Sequence, residues 1–219
     1  MSQSNSNDTD WQALSQQLSC PSGEAGIKVA DMMSQGNMGM INSGIHQLQP
    51  DDQNVILELG PGNGTHVGNI QALAENLSYV GLDISPLMVH MCQTHNQQLP
   101  RVSFYEYDGE TLAYPDNSFH RILTVNTLYF FKSPVQMLNE LHRVLKLNGR
   151  CVLVFAAKAF METLPFTSFG FSLYSLEDFK NLVAQTAFTL ETCIEEQDVV
   201  ISKSGKEVER LYFVVSLKK

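Results

Sequence analysis

Ten consecutive residues, Val55-Ile56-Leu57-Glu58-Leu59-Gly60-Pro61-Gly62-Asn63-Gly64, have types and spacing that could bind a ligand for chemistry. An apolar run of strand length carries an acid near its end, and three glycines then alternate with single residues. A glycine turn after a buried strand lets backbone approach a ligand more closely than any side chain would allow. A dinucleotide fingerprint places its last glycine three positions after the second, but here the third glycine is Gly64 and that place holds Thr65. Glu58 is a poor neighbour for a pyrophosphate and a good one for a cation. Tyr79-Val80-Gly81-Leu82-Asp83 reads as a second strand ending in an acid, and Asp83, 19 residues after Gly64, suits a pair of ribose hydroxyls. The pattern points to a ligand with a ribose and a positive charge, held at the carboxyl ends of two strands.

Glu58-x-Gly60-x-Gly62-x-Gly64 followed by Asp83 resembles the class I S-adenosylmethionine-dependent methyltransferases. Within them the chain is most similar to the small-molecule branch that includes the ubiquinone and menaquinone C-methyltransferases. The likeness continues through Tyr107-Asp108-Gly109, the run from Phe119 to Asn126, and the run from Glu140 to Arg150, and covers roughly residues 50–157. It implies a Rossmann-like seven-stranded sheet, mostly parallel, closed by a C-terminal antiparallel hairpin. Helices would cover both faces, with a helical extension before the first strand. The implied cofactor is S-adenosyl-L-methionine, leaving S-adenosyl-L-homocysteine. The implied activity is methyl transfer to a small, apolar or aromatic metabolite, and the alternative is a non-catalytic cofactor-binding domain acting as sensor or scaffold.

The resemblance also assigns roles. Gly60, Pro61, Gly62 and Gly64 would cradle the cofactor, with Glu58 orienting its ammonium directly or through water. Otherwise Glu58 is a solvated strand-end acid. Asp83 would hold the ribose. Asp108 would meet the adenine amino group with Gly109 close to the ring, or the Asp-Gly pair only forms a turn. Ile84 and Met88 would flank the adenine and ribose, with core packing the alternative for Met88. Asn126 ends the fourth strand, whose backbone would meet the methionine part, and Tyr129 would line the acceptor pocket or join the core. A sulfonium is already activated, so in-line positioning matters more than a fixed triad. If one base assists, His66, His120, Tyr129 and Tyr174 are the candidates.

His90, Cys92 and His95 invite a metal reading, but on a helix they do not share a face, and no metal is expected. Met32, Met33, Met38 and Met40 form a patch suited to core filling, to a lid, or to a wall beside the sulfonium. Residues 158–174 carry Phe160, Phe166, Phe169, Phe171 and Tyr174, which suit either a cover over an apolar crevice or packing on the sheet edge.

These residues need a scaffold. Strands are expected near 53–58, 78–83, 102–107, 119–125 and 149–156, with helices near 64–76, 85–97 and 133–146 between them. Alternation of this kind implies a parallel sheet with right-handed crossovers. Two or three helices precede it over residues 9–48, broken near Pro21-Ser22-Gly23 and Gly36. After a helix near 175–186, the segments Phe188 to Glu195 and Arg210 to Leu217 make a hairpin joined by a polar connection containing Ser204-Gly205. Residues 1–10 read as a disordered tail and 11–219 as one domain, with a cap over 11–50, a cofactor half over 51–157 and a substrate-side remainder.

With 14 basic against 23 acidic residues the net charge is −9, and no basic stripe interrupts it, which disfavours nucleic acid as a partner. No apolar run approaches a membrane span. Four scattered cysteines without a C-x-x-C pair suit reduced thiols, and a cytoplasmic monomer or homodimer is expected.

Overall fold

The computed structural model describes residues 10–201 and 207–219. The expected disordered tail and the Ser204-Gly205 connection therefore lie, all but Asp10, outside the described residues. Seven strands form one sheet: β1 (Val55–Leu59), β2 (Ser78–Asp83), β3 (Val102–Glu106), β4 (Phe119–Val125), β5 (Leu145–Ala156), β6 (Thr189–Ile201) and β7 (Glu207–Lys218). Their order is β3-β2-β1-β4-β5-β7-β6, parallel from β3 to β5, with β7 antiparallel to β5 and β6 antiparallel to β7. From β1 the chain moves outward to β2 and β3, then returns to β4 on the other side. Such a switch point opens a crevice beyond the carboxyl ends of β1 and β4.

Among the described residues, eight α-helices accompany the sheet: α1 (Trp11–Ser19), α2 (Gly23–Gly36), α3 (Met38–Leu48), α4 (Val67–Gln71), α5 (Pro86–His95), α6 (Pro134–Val144), α7 (Lys158–Met161) and α8 (Leu176–Val183). Alternate residues of β5 face opposite layers. Val154 meets α3 at Gly44, whereas Phe155 stacks on Phe179 of α8 with ring centroids 5.0 Å apart. Helices thus cover both faces, and the strands between them are buried on both sides, as continuous apolar runs require. Among the described residues, no helix is long and apolar enough to cross a membrane.

Local departures from the expected elements have visible causes. α4 is shorter than 64–76 because bonds of the i to i+3 type tighten both ends: Val67 N–H to Gly64 O at 3.2 Å and Leu73 N–H to Ile70 O at 3.1 Å. The helix expected near 133–146 ends two residues early. α6 ends at Val144, and Asn148, at φ +62°, lies in a bulged start of β5 where the register to β4 jumps from Phe119–Leu145 to Arg121–Arg150. β6 is longer than Phe188 to Glu195, and β5 ends opposite Tyr212. Beyond the Ala157 N–H to Leu211 O bond at 2.9 Å, residues 197–201 and 207–210 pair with each other and project past the carboxyl edge of the sheet.

Candidate active site

Beyond the carboxyl ends of β1, β2 and β4 lies a cavity of about 700 Å³. Its wall includes Glu58, Gly60, Pro61, Gly62, Asp83, Ile84, Met88, Asp108, Gly109 and Asn126, which the sequence nominated from separate segments. His66 and Tyr129 also line it. Gly64, His120 and Tyr174 do not.

The glycine turn divides its labour. Gly60, at φ +68°, donates its N–H to Leu82 O at 2.8 Å, and an added Cβ would lie 2.4 Å from Thr127 Cγ2. Gly62, at φ +59°, has open space within 4 Å of where a Cβ would sit. Gly64, at φ +71°, is pressed on α5, and its Cβ would lie 2.7 Å from Cys92 Sγ. Gly64 thus packs closely on the helix beside it. α5 then clamps the turn through its carbonyls. Cys92 Sγ donates to Gly62 O at 3.1 Å, His95 Nδ1 to Asn63 O at 2.8 Å and Asn96 Nδ2 to Gly64 O at 3.0 Å. Cys92 and His95, which invited a metal reading, thus serve the turn. Gly64→Ala should lower the unfolding free energy by roughly 2–4 kcal/mol through strain and overlap, whereas Gly62→Ala should cost about 1–2 kcal/mol through strain alone. Urea titration of the two variants checks the difference.

Two strand-end acids sit in unlike surroundings. Glu58 is only 1% exposed, so the solvated alternative fails. It accepts His66 Nε2–H at 2.9 and 3.0 Å and the Tyr79 hydroxyl at 2.6 Å. Burial opposes the His66 imidazolium, but the charge and hydrogen bond of Glu58 outweigh it, and the His66 pKa is raised. Asp83, 7% exposed, has no such cation. Burial pushes its carboxyl up to about 6, although the amides of Ser85, Gly62 and Ile84 favour the charged form. The Ser85 N–H donates to it at 2.9 Å.

Asp108 is exposed, and it organises the loop after β3. It accepts Glu110 N–H at 2.8 Å, Thr111 N–H at 2.7 Å and the Thr111 hydroxyl at 2.6 Å. The Thr111 bonds, then that of Glu110, bring its carboxyl down to about 2. Met88 is fully buried yet also borders the cavity. Tyr107 lines the cavity too, a position the sequence did not single out.

Asn126 closes β4 in the left-handed region, at φ +58°, which asparagine tolerates better than most residues. Its Nδ2 donates to Met40 Sδ at 3.4 Å. Tyr129, in a short 3₁₀ turn (Leu128–Phe130), accepts Ala156 N–H at 2.6 Å and donates to Asn126 Oδ1 at 3.0 Å. Burial pushes its pKa well up. Tyr129 therefore ties the ends of β4 and β5 together. His120 stands at the opposite edge of the sheet, where its Nδ1 accepts Val55 N–H at 2.9 Å, and it does not line the cavity.

Beyond the turn the cavity becomes apolar. Phe130, Phe131, Phe160, Leu164, Phe166 and Phe171 line it, with Met33 and Ile41 facing them. Of the aromatics after β5, Phe160, Phe166 and Phe171 face the cavity, and Phe169 and Tyr174 do not. Met32 and Met33 contribute from α2, while Met40 is buried beneath. The projecting hairpin adds Val200, Ile201, Val208 and Arg210, a contribution with no sign in the sequence. The cap is anchored at several points. Asn63 Nδ2 donates to Asp31 at 3.2 Å, Ser34 and Thr65 hydroxyls meet at 2.8 Å, Ser85 Oγ donates to Pro21 O at 2.6 Å, and Ser15 Oγ donates to Phe169 O.

Comparison with known proteins agrees with this arrangement. Residues 57–153 match the family model described as a methyltransferase domain. A Mycobacterium leprae phthiotriol/phenolphthiotriol dimycocerosates methyltransferase is 30% identical over 94 residues, 43% of this chain and 34% of that protein. A rice (Oryza sativa subsp. japonica) chloroplastic 2-methyl-6-phytyl-1,4-hydroquinone methyltransferase is 30% identical over 101 residues, 45% of this chain and 30% of that protein. The matches thus span about a third of the length of these curated relatives. A chain from the Haloferax volcanii complex of the Trm112 methyltransferase activator with a methyltransferase shares the fold at a TM-score of 0.75. It is 15% identical, over 95% of this chain and 98% of the other. Over residues 57–153 the chain therefore resembles methyltransferase domains, and its fold is one that such proteins share.

Proposed function

We propose that the chain transfers a methyl group from S-adenosyl-L-methionine to a small acceptor with an apolar or aromatic body. One observation carries the reading: a single cavity joins an acid-lined half at the glycine turn to an aromatic half under the cap and hairpin. The first half fits the cofactor. Gly62 leaves room for it, Asp83 offers a buried acceptor for ribose hydroxyls, and Ile84, Met88 and Tyr107 wall the place of a base. Glu58, fixed by His66 and Tyr79, has further lone pairs for an ammonium or a bridging water. When bound, this cofactor supplies an activated methyl on a sulfonium. The protein's part is to orient the acceptor, hold it in line and exclude water. Phe130, Phe166 and Phe171 are placed to hold an apolar body. The names of the two curated relatives, a phthiotriol lipid and a phytyl hydroquinone methyltransferase, describe acceptors of that kind, which supports the assignment.

Calorimetry should show binding of S-adenosylmethionine or S-adenosylhomocysteine and no comparable affinity for NAD; the reverse result would sink the proposal. Labelled S-adenosylmethionine with a metabolite extract then separates transfer from mere binding. Hydrogen exchange with S-adenosylhomocysteine should slow in residues 32–40 and 158–174 as well as at the turn. Slowing confined to the turn would leave the cap without a role in closure.

A further inference from the structure

Among the described residues, the aromatic half of the cavity has no side chain free to remove a proton. Three titratable residues line it: Tyr129, Lys132 and Arg210. The Tyr129 hydroxyl is engaged on both sides, by Ala156 N–H and Asn126 Oδ1. Lys132 stands at the exposed rim, 2.6 Å from Glu110. Arginine stays protonated in proteins. His66 is committed through Nε2 to Glu58 beneath the turn.

The same half does hold a buried cation. Arg210 is 6% exposed on an otherwise apolar wall. Its Nε and Nη2 grip Asp198 at 2.9 and 2.7 Å, Nη2 also reaches Gly36 O at 2.8 Å, and Nη1 reaches Asn37 Oδ1 at 2.8 Å. Nη1 carries two N–H groups. Among the described residues, one of them has no partner.

Resting on the methyltransferase reading, we propose that the acceptor enters already ionised, as an oxyanion on an apolar body, and that Arg210 Nη1 holds it. A carboxylate or an acidic phenol or enol has this chemistry; an alcohol or a neutral amide does not. Transfer from a sulfonium to such an oxygen forms one O–C bond and breaks one C–S bond. The electron pair of the broken bond goes to sulfur, and no proton moves. Two opposite charges vanish in that step, which a water-poor, apolar chamber favours. A chamber whose described residues offer no base, and whose guanidinium keeps one N–H, suits this acceptor better than one that must first lose a proton.

The test is titration of the S-adenosylhomocysteine-loaded protein with 2-naphthoate and with 2-naphthamide, which match in size and differ in charge. Naphthoate should bind at least about tenfold more tightly, the worth of a hydrogen bond to a charged group. Arg210→Met should abolish the preference, and Arg210→Lys should restore part of it. S-adenosylhomocysteine affinity, measured in each variant, reports whether the fold and the cofactor half survive. Equal affinities in the unaltered protein, tighter binding of the amide, binding of neither, or a preference that persists in Arg210→Met would each overturn the proposal while leaving cofactor binding intact. Failure of S-adenosylhomocysteine to bind would instead overturn the methyltransferase reading, and this proposal with it.

Discussion

Asp83→Ala should weaken S-adenosylmethionine or S-adenosylhomocysteine binding by roughly 1.5–3 kcal/mol, the range for hydrogen bonds to a charged acceptor. The empty protein should respond in the opposite sense to the milder Asp83→Asn. Burial raises this carboxyl from 3.8 to about 6. Below 3.8 both folded and unfolded chains are protonated and the burial costs nothing. Between 3.8 and 6 the folded chain holds the extra proton, so stability falls as pH rises through that window. Above it the ionised group costs about 3 kcal/mol, an order-of-magnitude figure. The neutral amide of Asp83→Asn would avoid that cost while keeping an acceptor for the Ser85 N–H. Thermal unfolding at pH 7 to 8 should show Asp83→Asn at least as stable as the unaltered chain without ligand, and less stable with it. Ligand affinity of the unaltered protein should also fall by up to about tenfold per pH unit below 6, because binding must then expel a proton. Affinity that is flat from pH 5 to 8 would show that Asp83 does not hold the ligand.

Glu58→Ala should do the reverse: it should cost the fold itself about 3–5 kcal/mol, the usual penalty for removing one member of a buried charged pair. His66 and the Tyr79 hydroxyl would both lose their partner in a place water barely reaches. The loss should also depend on pH. Glu58 raises His66 above its ordinary 6.5, so the pair's contribution is complete below 6.5 and fades as pH rises through the folded value. Urea unfolding at pH 6 and pH 8 should therefore give the larger difference at pH 6. A difference under 1 kcal/mol at both would show that the pair is not what fixes this strand end. Any role of Glu58 toward an ammonium is better read from Glu58→Gln, which keeps an acceptor for His66.

That the nominated residues would line one cavity was legible because its parts are local. Gly60 and Gly62 follow β1 directly, Asp83 ends β2, and Asn126 ends β4, so strand ends and spacing suffice to find them. What each acid does was less legible, because it depends on distant side chains. Nothing near Glu58 in the chain announces Tyr79, and nothing near Asp83 announces the lack of a cation. Gly64 looked like a third ligand glycine, but its neighbour is Cys92, 28 positions on. The aromatic segment after β5 stood out by composition, yet only folding sorts Phe166 and Phe171 from Phe169 and Tyr174. The hairpin's share was hidden for a further reason. Among the described residues no third strand pairs with residues 197–201 and 207–210, and Val199-Val200-Ile201 is apolar without alternation, so the sequence does not tell their length or their aim.

The hairpin also has a bearing on how the molecule comes to exist. The turn, the ribose acid and the strand between them lie within 29 residues of one another, from Val55 to Asp83. The walls of the aromatic chamber are joined across far greater separations: Ser15 to Phe169, Ser43 to Tyr212, Asn37 to Arg210. Contacts so remote in sequence pay loop-closure entropy before they return any energy, and they form late. On the ribosome, the glycine turn and Asp83 can assemble while the aromatic chamber still lacks the strand that carries Arg210. Assembly order thus separates the two halves of the cavity, and an emerging chain would form its glycine turn before it could close the aromatic chamber.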